Sequence, residues 1–309
     1  MLPRFKSDRF SFFSRLAIAA PIVVALAACG GGDGETSAGE PESAQVSADF
    51  ETTPVAEGVW RFRWQSHNGL FVDTPEGVIV VDPISTEAAA VFAGEVQRTL
   101  PDKALLAVVY SHWHADHATG ANVIRTALGS DAPVVAHENA VPSIEAAADP
   151  DLPVPDQVYD DLLVLAEGSR PVELHHLGPS HSDDQSVVVI PDVGVAFAVD
   201  FVAHDRVGYQ ELPSWHMPGQ LTALDQLGQL DYETIVFGHG PNGDKGSVER
   251  QLAYYQALAA AVQEAIDDGS TADEAAESIN LPEFTHWDQY DAWFPMNVRG
   301  MYRLLSEGG

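Results

Sequence analysis

Short apolar runs closed by glycine, proline or aspartate alternate along the chain with stretches whose apolar residues recur every three to four positions. Residues 58–64 and 69–72 read as strands, and residues 77–81 follow a Thr-Pro-Glu-Gly turn as a buried strand. The spacing predicts a helix over 86–100, with Glu87 near its start and Arg98 near its end, where the helix dipole favours each sign of charge. An apolar strand over 105–110, a helix over 119–128 and a strand over 133–136 come next. Residues 149–156 carry three prolines and read as loop. Strands are expected over 162–165 and 172–177. Residues 185–190 and 195–201 flank Pro-Asp-Val-Gly as a hairpin. A helix over 221–230, a strand over 234–237, a long helix over 247–268 and a short one over 272–279 complete the pattern. This order, without a solenoid repeat, predicts an α/β protein with more than one sheet.

The first 48 residues follow neither period. Arg4, Lys6, Arg9 and Arg15 precede an apolar run over 16–28 that is interrupted by Pro21 and too short to span a bilayer as a stable helix. The run ends in Leu26-Ala27-Ala28-Cys29, and Cys29 is the single cysteine of the chain. This segment resembles a bacterial lipobox. The resemblance implies cleavage after residue 28, lipid on the Cys29 thiol, and a place in the bacterial cell envelope, anchored by lipid and facing the periplasm or the exterior. Residues 29–48, rich in Gly, Ser, Glu and Ala, then read as a flexible tether, and residues 49–309 as one domain. With Cys29 lipidated, disulfides, cysteine nucleophiles and cysteine metal ligands are all excluded.

The chain of 309 residues, 45% of them hydrophobic, is long enough for a sizeable core. A formal net charge of −31 repels nucleic acid and anionic lipid. Membrane contact is therefore expected through the N-terminal lipid alone, and the expected partner is a small-molecule substrate.

Candidate chemistry sits where strands end. Ser111-His112-Trp113-His114-Ala115-Asp116-His117 follows the strand over 105–110. In an extended segment His112 and His114 share a face and can grip one ion; after a turn, Asp116 and His117 can reach another. His181 follows the turn after residue 177, Asp200 closes the strand near 195–199, and His239 closes the strand over 234–237. Five histidines and two carboxylates are enough for two zinc ions, and two close metals lower the pKa of a shared water and make a hydroxide at neutral pH.

The His-X-His-X-Asp-His run, with the partners after it, resembles the metallo-β-lactamase superfamily over roughly residues 55–245. The resemblance implies a four-layer αββα sandwich with two metals at one edge of its two sheets. It assigns His112, His114 and His181 to a first Zn²⁺, and Asp116, His117 and His239 to a second. Asp200 becomes the bridge, Asp116 the catalytic residue that positions the hydroxide, and Asp82 a carboxylate that orients a ligand rather than binding metal. The implied activity is hydrolysis of an ester, thioester, lactone or lactam. One branch of true β-lactamases has a cysteine near the Asp200 position and another lacks the bridging aspartate, so the full set is closer to hydroxyacylglutathione hydrolases, lactonases and related esterases. Other readings are a β-lactamase proper, an iron-dependent oxidoreductase of the same fold resembling sulfur dioxygenases, with iron or manganese as the alternative ions, and a non-catalytic zinc-binding protein.

The loop carrying His67 and Asn68, and the stretch from His204 to Pro218, are expected to wall the substrate pocket, the latter with Arg206, Tyr209, Trp215, His216 and Met217. His137 is expected to begin a helix, His175 and His176 to sit in a strand, and His286 in a late loop, all in structural roles. Trp287, Tyr290, Trp293 and Phe294 read as core or lid packing.

Overall fold

The computed structural model describes residues 49–307 except Glu167. The signal-like segment and the tether, Cys29 included, lie outside these residues. No helix among the described residues is long and apolar enough to cross a membrane.

The chain runs β1 (Phe50–Ala56), β2 (Val59–Trp64), β3 (His67–Asp73), β4 (Val78–Val81), α1 (Thr86–Thr99), β5 (Leu105–Val109), α2 (Ala115–Ala118), α3 (Ala121–Ala127), β6 (Val134–His137) and α4 (Ala140–Ala147). It continues with β7 (Gln157–Tyr159), β8 (Leu162–Leu165), β9 (Val172–His176), β10 (Ser186–Ile190), β11 (Val195–Ala198), α5 (Met217–Gln229), β12 (Thr234–Phe237), α6 (Lys245–Asp267), α7 (Ala272–Ser278) and α8 (Tyr290–Ser306).

Two sheets form, in the orders β1-β2-β3-β4-β5-β6-β7 and β12-β11-β10-β9-β8. The alternation of side chains along each strand sorts the core into three layers. Ile79 and Val81 of β4, Ala107 and Val109 of β5, Val188 and Ile190 of β10 and Phe197 of β11 meet between the sheets. Val78 and Val80 instead face α1 and α3, where the fully buried Phe92 stacks on Phe62 at 4.2 Å between ring centroids. Removing such a ring costs about 3–5 kcal/mol. Val187, Val189, Ala196 and Ala198 face α5, α6 and α8 on the other side. Strands with apolar residues on both faces are what sheets covered by helices require. The architecture is the expected αββα sandwich.

Boundaries differ where a local signal was overridden. The helix expected over 119–128 starts at Ala121, after the separate one-turn α2, with Gly120 between the two at φ +101°. A Cβ there would lie 2.7 Å from the Ser85 carbonyl and from the Ala89 side chain, so glycine allows this turn to press on α1. His137 closes β6, and the helix expected to begin at it starts at Ala140. Pro142 does not break α4, because it falls in the first turn, where an amide would have no helical partner. Pro295, inside α8, hides that helix in the sequence. Strand β1 carries Pro54, and β7 spans three residues; neither shows a period.

Candidate metal centre

The site forms at the ends of strands from both sheets. Asp82 follows β4 and is fully buried, with φ +53°. It accepts hydrogen bonds from the Ser111 amide and hydroxyl, each at 2.7 Å, just beyond β5. The Ser111 hydroxyl, donating to Asp82, is also 3.0 Å from His112 Nδ1 and therefore accepts from it. Asp82 Oδ2 lies 3.3 Å from His117 Nδ1 as well. One buried carboxylate thus holds the His112 ring through Ser111 and faces the His117 ring as a charge contact, with Nε2 of both rings left on the side of the site.

Eight side chains converge in two groups. His112, His114, His181 and Asp200 form the first, and His67, Asp116, His117 and His239 the second; within each group the donor atoms lie within 4.8 Å of one another. In the first, His181 Nε2 and His114 Nδ1 approach to 3.0 Å. Asp200 faces both groups. Its Oδ2 is 3.4 Å from His112 Nε2, 3.4 Å from His181 Nε2 and 3.5 Å from His117 Nε2, and its Oδ1 is 3.0 Å from His239 Nε2. His239 Nδ1 lies 2.9 Å from the Ser66 carbonyl and so carries its proton there, which leaves Nε2 as the binding atom. Asp200 has φ +63°, a conformation non-glycine residues adopt at a cost and keep where the surroundings impose it.

The electrostatics suit cations. Burial lowers His112 to about 4 and His181 to about 3, and also lowers His114, so the first group presents neutral rings at pH 7. Burial opposes charge on Asp200, yet His117, His112 and His239 outweigh it and hold the carboxyl well below its ordinary value. Burial likewise opposes a proton on His117, but Asp200 and Asp82 raise it well above the ordinary value. Asp116 is lowered by His67 and His117 against its own partial burial. The Nε2 atoms of His112 and His117 are buried and make no hydrogen bond in the protein. Unpaired buried nitrogens are costly, and divalent cations bound by imidazole and carboxylate satisfy them. The donor set fits such ions.

A cavity of about 610 Å³ opens over these groups. His67, His114, Asp116, His181, Asp200 and His239 line its floor, and Val202, Arg206, Val207, Tyr209, Tyr255 and Trp293 its walls. The Arg206 guanidinium lies over the Trp293 ring at 4.8 Å. Of the expected pocket residues, His67 is on the lining, and also inside the second group of donors. Asn68, His204 and Trp215 are off it. Asn68 is buried and donates to the Phe237 and Gly240 carbonyls; His204 Nδ1 lies 2.9 Å from the Ser247 hydroxyl; Trp215 packs behind His181 and on Tyr255. Trp287, Tyr290 and Phe294 are core, whereas Trp293 faces the cavity. His137 stacks on His176 at 3.7 Å, and His175 Nε2 meets Glu173 at 2.8 Å, so these three rings belong to neither group. Sequence reasoning missed the structural parts played by Ser66 and Ser111, and the wall residue Tyr255 in the middle of α6. The serines adjoin site histidines, a signal that could have raised them; Tyr255 carries none.

Known proteins resemble this arrangement. Residues 62–239 match the family model described as the metallo-beta-lactamase superfamily. The chain is 25% identical over 242 residues to 2,4-dinitroanisole O-demethylase subunit alpha of Nocardioides sp. (strain JS1661), covering 76% of this chain and 70% of that one. It is 22% identical over 166 residues to metallo-beta-lactamase type 2 of Bacteroides fragilis, covering 50% of this chain and 64% of that protein. Among solved structures, a metallo-beta-lactamase from Pontibacter korlensis superposes with a TM-score of 0.57 at 23% identity, over 67% of this chain and 99% of that one. The DIM-1 metallo-beta-lactamase gives the same TM-score at 18% identity, over 67% of this chain and 97% of that one. With the family model spanning more than half of its length, the chain belongs to the metallo-β-lactamase superfamily.

Proposed function

We propose that this protein is a metal-dependent hydrolase of small molecules that carry an ester, thioester, lactone or lactam bond. The observation that carries this reading is the convergence of two imidazole–carboxylate groups, joined by Asp200, at the floor of one cavity. His112, His114 and His181 would hold one ion, Asp116, His117 and His239 the other, with Asp200 between them, and two zinc ions are the reading adopted here. When bound, such a pair supplies a hydroxide near neutral pH and polarises the substrate oxygen.

The chain's own residues do the rest. Asp82 holds the His112 ring through Ser111 and faces the His117 ring as a charge contact, so the donors need little rearrangement. Asp116 is more than half exposed on the cavity floor, where its carboxylate can orient the attacking water. Val202, Val207, Tyr255 and Trp293 remove water from an apolar substrate body, and Arg206 offers one cation on the wall. This combination suits a small, largely apolar molecule. The aromatic wall also fits a flat ring, and the Nocardioides relative is named for an aryl methyl ether, so such ethers join the candidate substrates. Lipidation of Cys29, and with it the envelope location, remains part of the proposal; the Cys29→Ser variant should leave the membrane fraction while keeping its metal content.

The test is a panel of lactones, thioesters, carboxylic esters, β-lactams and aryl methyl ethers, assayed with the zinc-loaded full-length protein, after chelation, and after zinc is restored. Turnover of at least one class, lost on chelation and recovered with zinc, is expected. Two bound iron ions in the purified protein, with oxygen consumption in place of hydrolysis, would favour the oxidoreductase reading.

A further inference from the structure

His67 falls among the donors of the second group rather than among residues that merely face a substrate. It is the first residue of β3, and it forms an isolated bridge with His239. The next residue ties the two sheets together: the Asn68 amide donates to the Gly238 carbonyl at 2.8 Å, and its side-chain amide to the Phe237 and Gly240 carbonyls. Asn68 is buried, so this clamp fixes the backbone of His67 against the loop that carries His239. The Nδ1 atom of His67 lies 3.3 Å from the Ser66 hydroxyl, and Nε2 lies 3.3 Å from Asp116 Oδ2. Its ring centroid is 4.5 Å from that of His239 and 5.5 Å from that of His117. Nε2, on its contact with Asp116, therefore points to the space that Asp116, His117 and His239 enclose.

We propose that His67 is a ligand of the second ion, which is then held by three imidazoles and Asp116 in addition to the shared Asp200. This inference rests on the reading that both groups hold metal. It has a chemical consequence. Five protein donors exceed the four of a closed tetrahedral zinc site, and a water would make six. The second position is thereby built for an ion of high coordination number, while the first, with three imidazoles and Asp200, suits a four- or five-coordinate one. The two positions differ in kind.

The experiment titrates Co²⁺ into the metal-stripped full-length protein and reads stoichiometry, affinity and visible absorption. Two ions are expected in the wild type, the second with the weak absorption of a six-coordinate site. His67→Ala and the bulkier His67→Gln should keep the first ion and weaken the second about 10–100-fold. The second ion should also absorb more strongly as its coordination falls. Circular dichroism checks the fold, and the glutamine variant, which restores bulk at the bridge, keeps the test valid if the alanine variant unfolds. Two ions in the wild type with unchanged affinity and spectrum in both variants, and a raised KM alone, would overturn the ligand assignment and return His67 to the substrate wall. A wild type that takes up no cobalt would overturn the metal reading together with it.

Discussion

The two donor groups share Asp200 but are built differently. Three of the first group's members, His112, His181 and Asp200, are almost enclosed, and burial keeps its rings neutral. The second group opens to the cavity through Asp116 and His67, and only His117 in it is fully buried. A largely buried set of neutral rings is preorganised for one ion. An open set with more carboxylate character can change its coordination as substrate arrives. The contrast suggests that the first position anchors and the second reacts.

The largest effect should come from removing what the groups share. Asp200→Ala strips a carboxylate that faces donors of both groups, so both ions should bind more weakly and turnover should fall on the order of a thousandfold. Metal analysis beside steady-state kinetics checks this. If one group keeps its ion at full affinity while the other empties, Asp200 serves a single position. Asp82→Ala comes next. The carboxylate faces His117 of the second group directly and holds His112 of the first through Ser111, so the variant should lower affinity at both positions about 10–100-fold. Loss confined to the second position would mean that the hydroxyl relay to His112 matters little.

The candidate site was largely legible in the sequence because its potential donors are close together along the chain or stand where apolar strands stop. His112, His114, Asp116 and His117 fall within six residues, and the strands before His239 and Asp200 have unmistakable apolar runs. The sequence suggested His67 only as a substrate contact beside the candidate metal site. Its position as a donor depends on the Asn68 clamp between two sheets, a pairing across roughly 170 residues that no local pattern encodes. The four-layer order came from the family resemblance, whereas an α/β fold with more than one sheet was legible from apolar runs such as Val78 to Val81. The helix α8 was not, because Pro295 reads as a breaker, while its packing through Phe294, Val298 and Met301 against the second sheet's helical layer overrides that local cost. The part of the cavity wall between residues 202 and 214 comes from a loop whose positive-φ residues, Asp205, Gln210, Leu212 and Ser214, follow tertiary packing rather than propensity.

A smaller effect is expected at the cavity wall. Trp293 lies under Arg206 and edge-on to Tyr209, 5.2 Å between centroids, and it touches no donor of either group. Trp293→Ala should raise KM about three- to tenfold for aromatic or apolar substrates, since one lost aromatic contact is worth roughly 0.5–1.5 kcal/mol. Metal content and kcat should change little. A fall in kcat at constant KM would link this wall to the reacting centre.

The smallest effect on turnover should follow Asp184→Asn, and it probes the support beneath the first group. Asp184 is three residues beyond His181 and almost fully buried. Burial pushes its carboxyl up to about 7, against the pull of the Ser182 hydroxyl and the Trp113 amide. A carboxyl raised in the folded state stabilises the protein most below the unfolded pKa, near 4, and that contribution is lost as pH rises through about 7. Wild-type unfolding free energy should therefore lose a component between pH 4 and 7 that the asparagine variant keeps. The difference between the two proteins, followed by denaturant melts across this range under chelation, isolates it from the histidines, which titrate in both. At pH 8 the variant should be the more stable by on the order of 2 kcal/mol. Identical pH slopes would mean that Asp184 is already ionised at pH 6, and that hydrogen bonds to its carboxylate, rather than a protonated carboxyl, support the loop carrying His181.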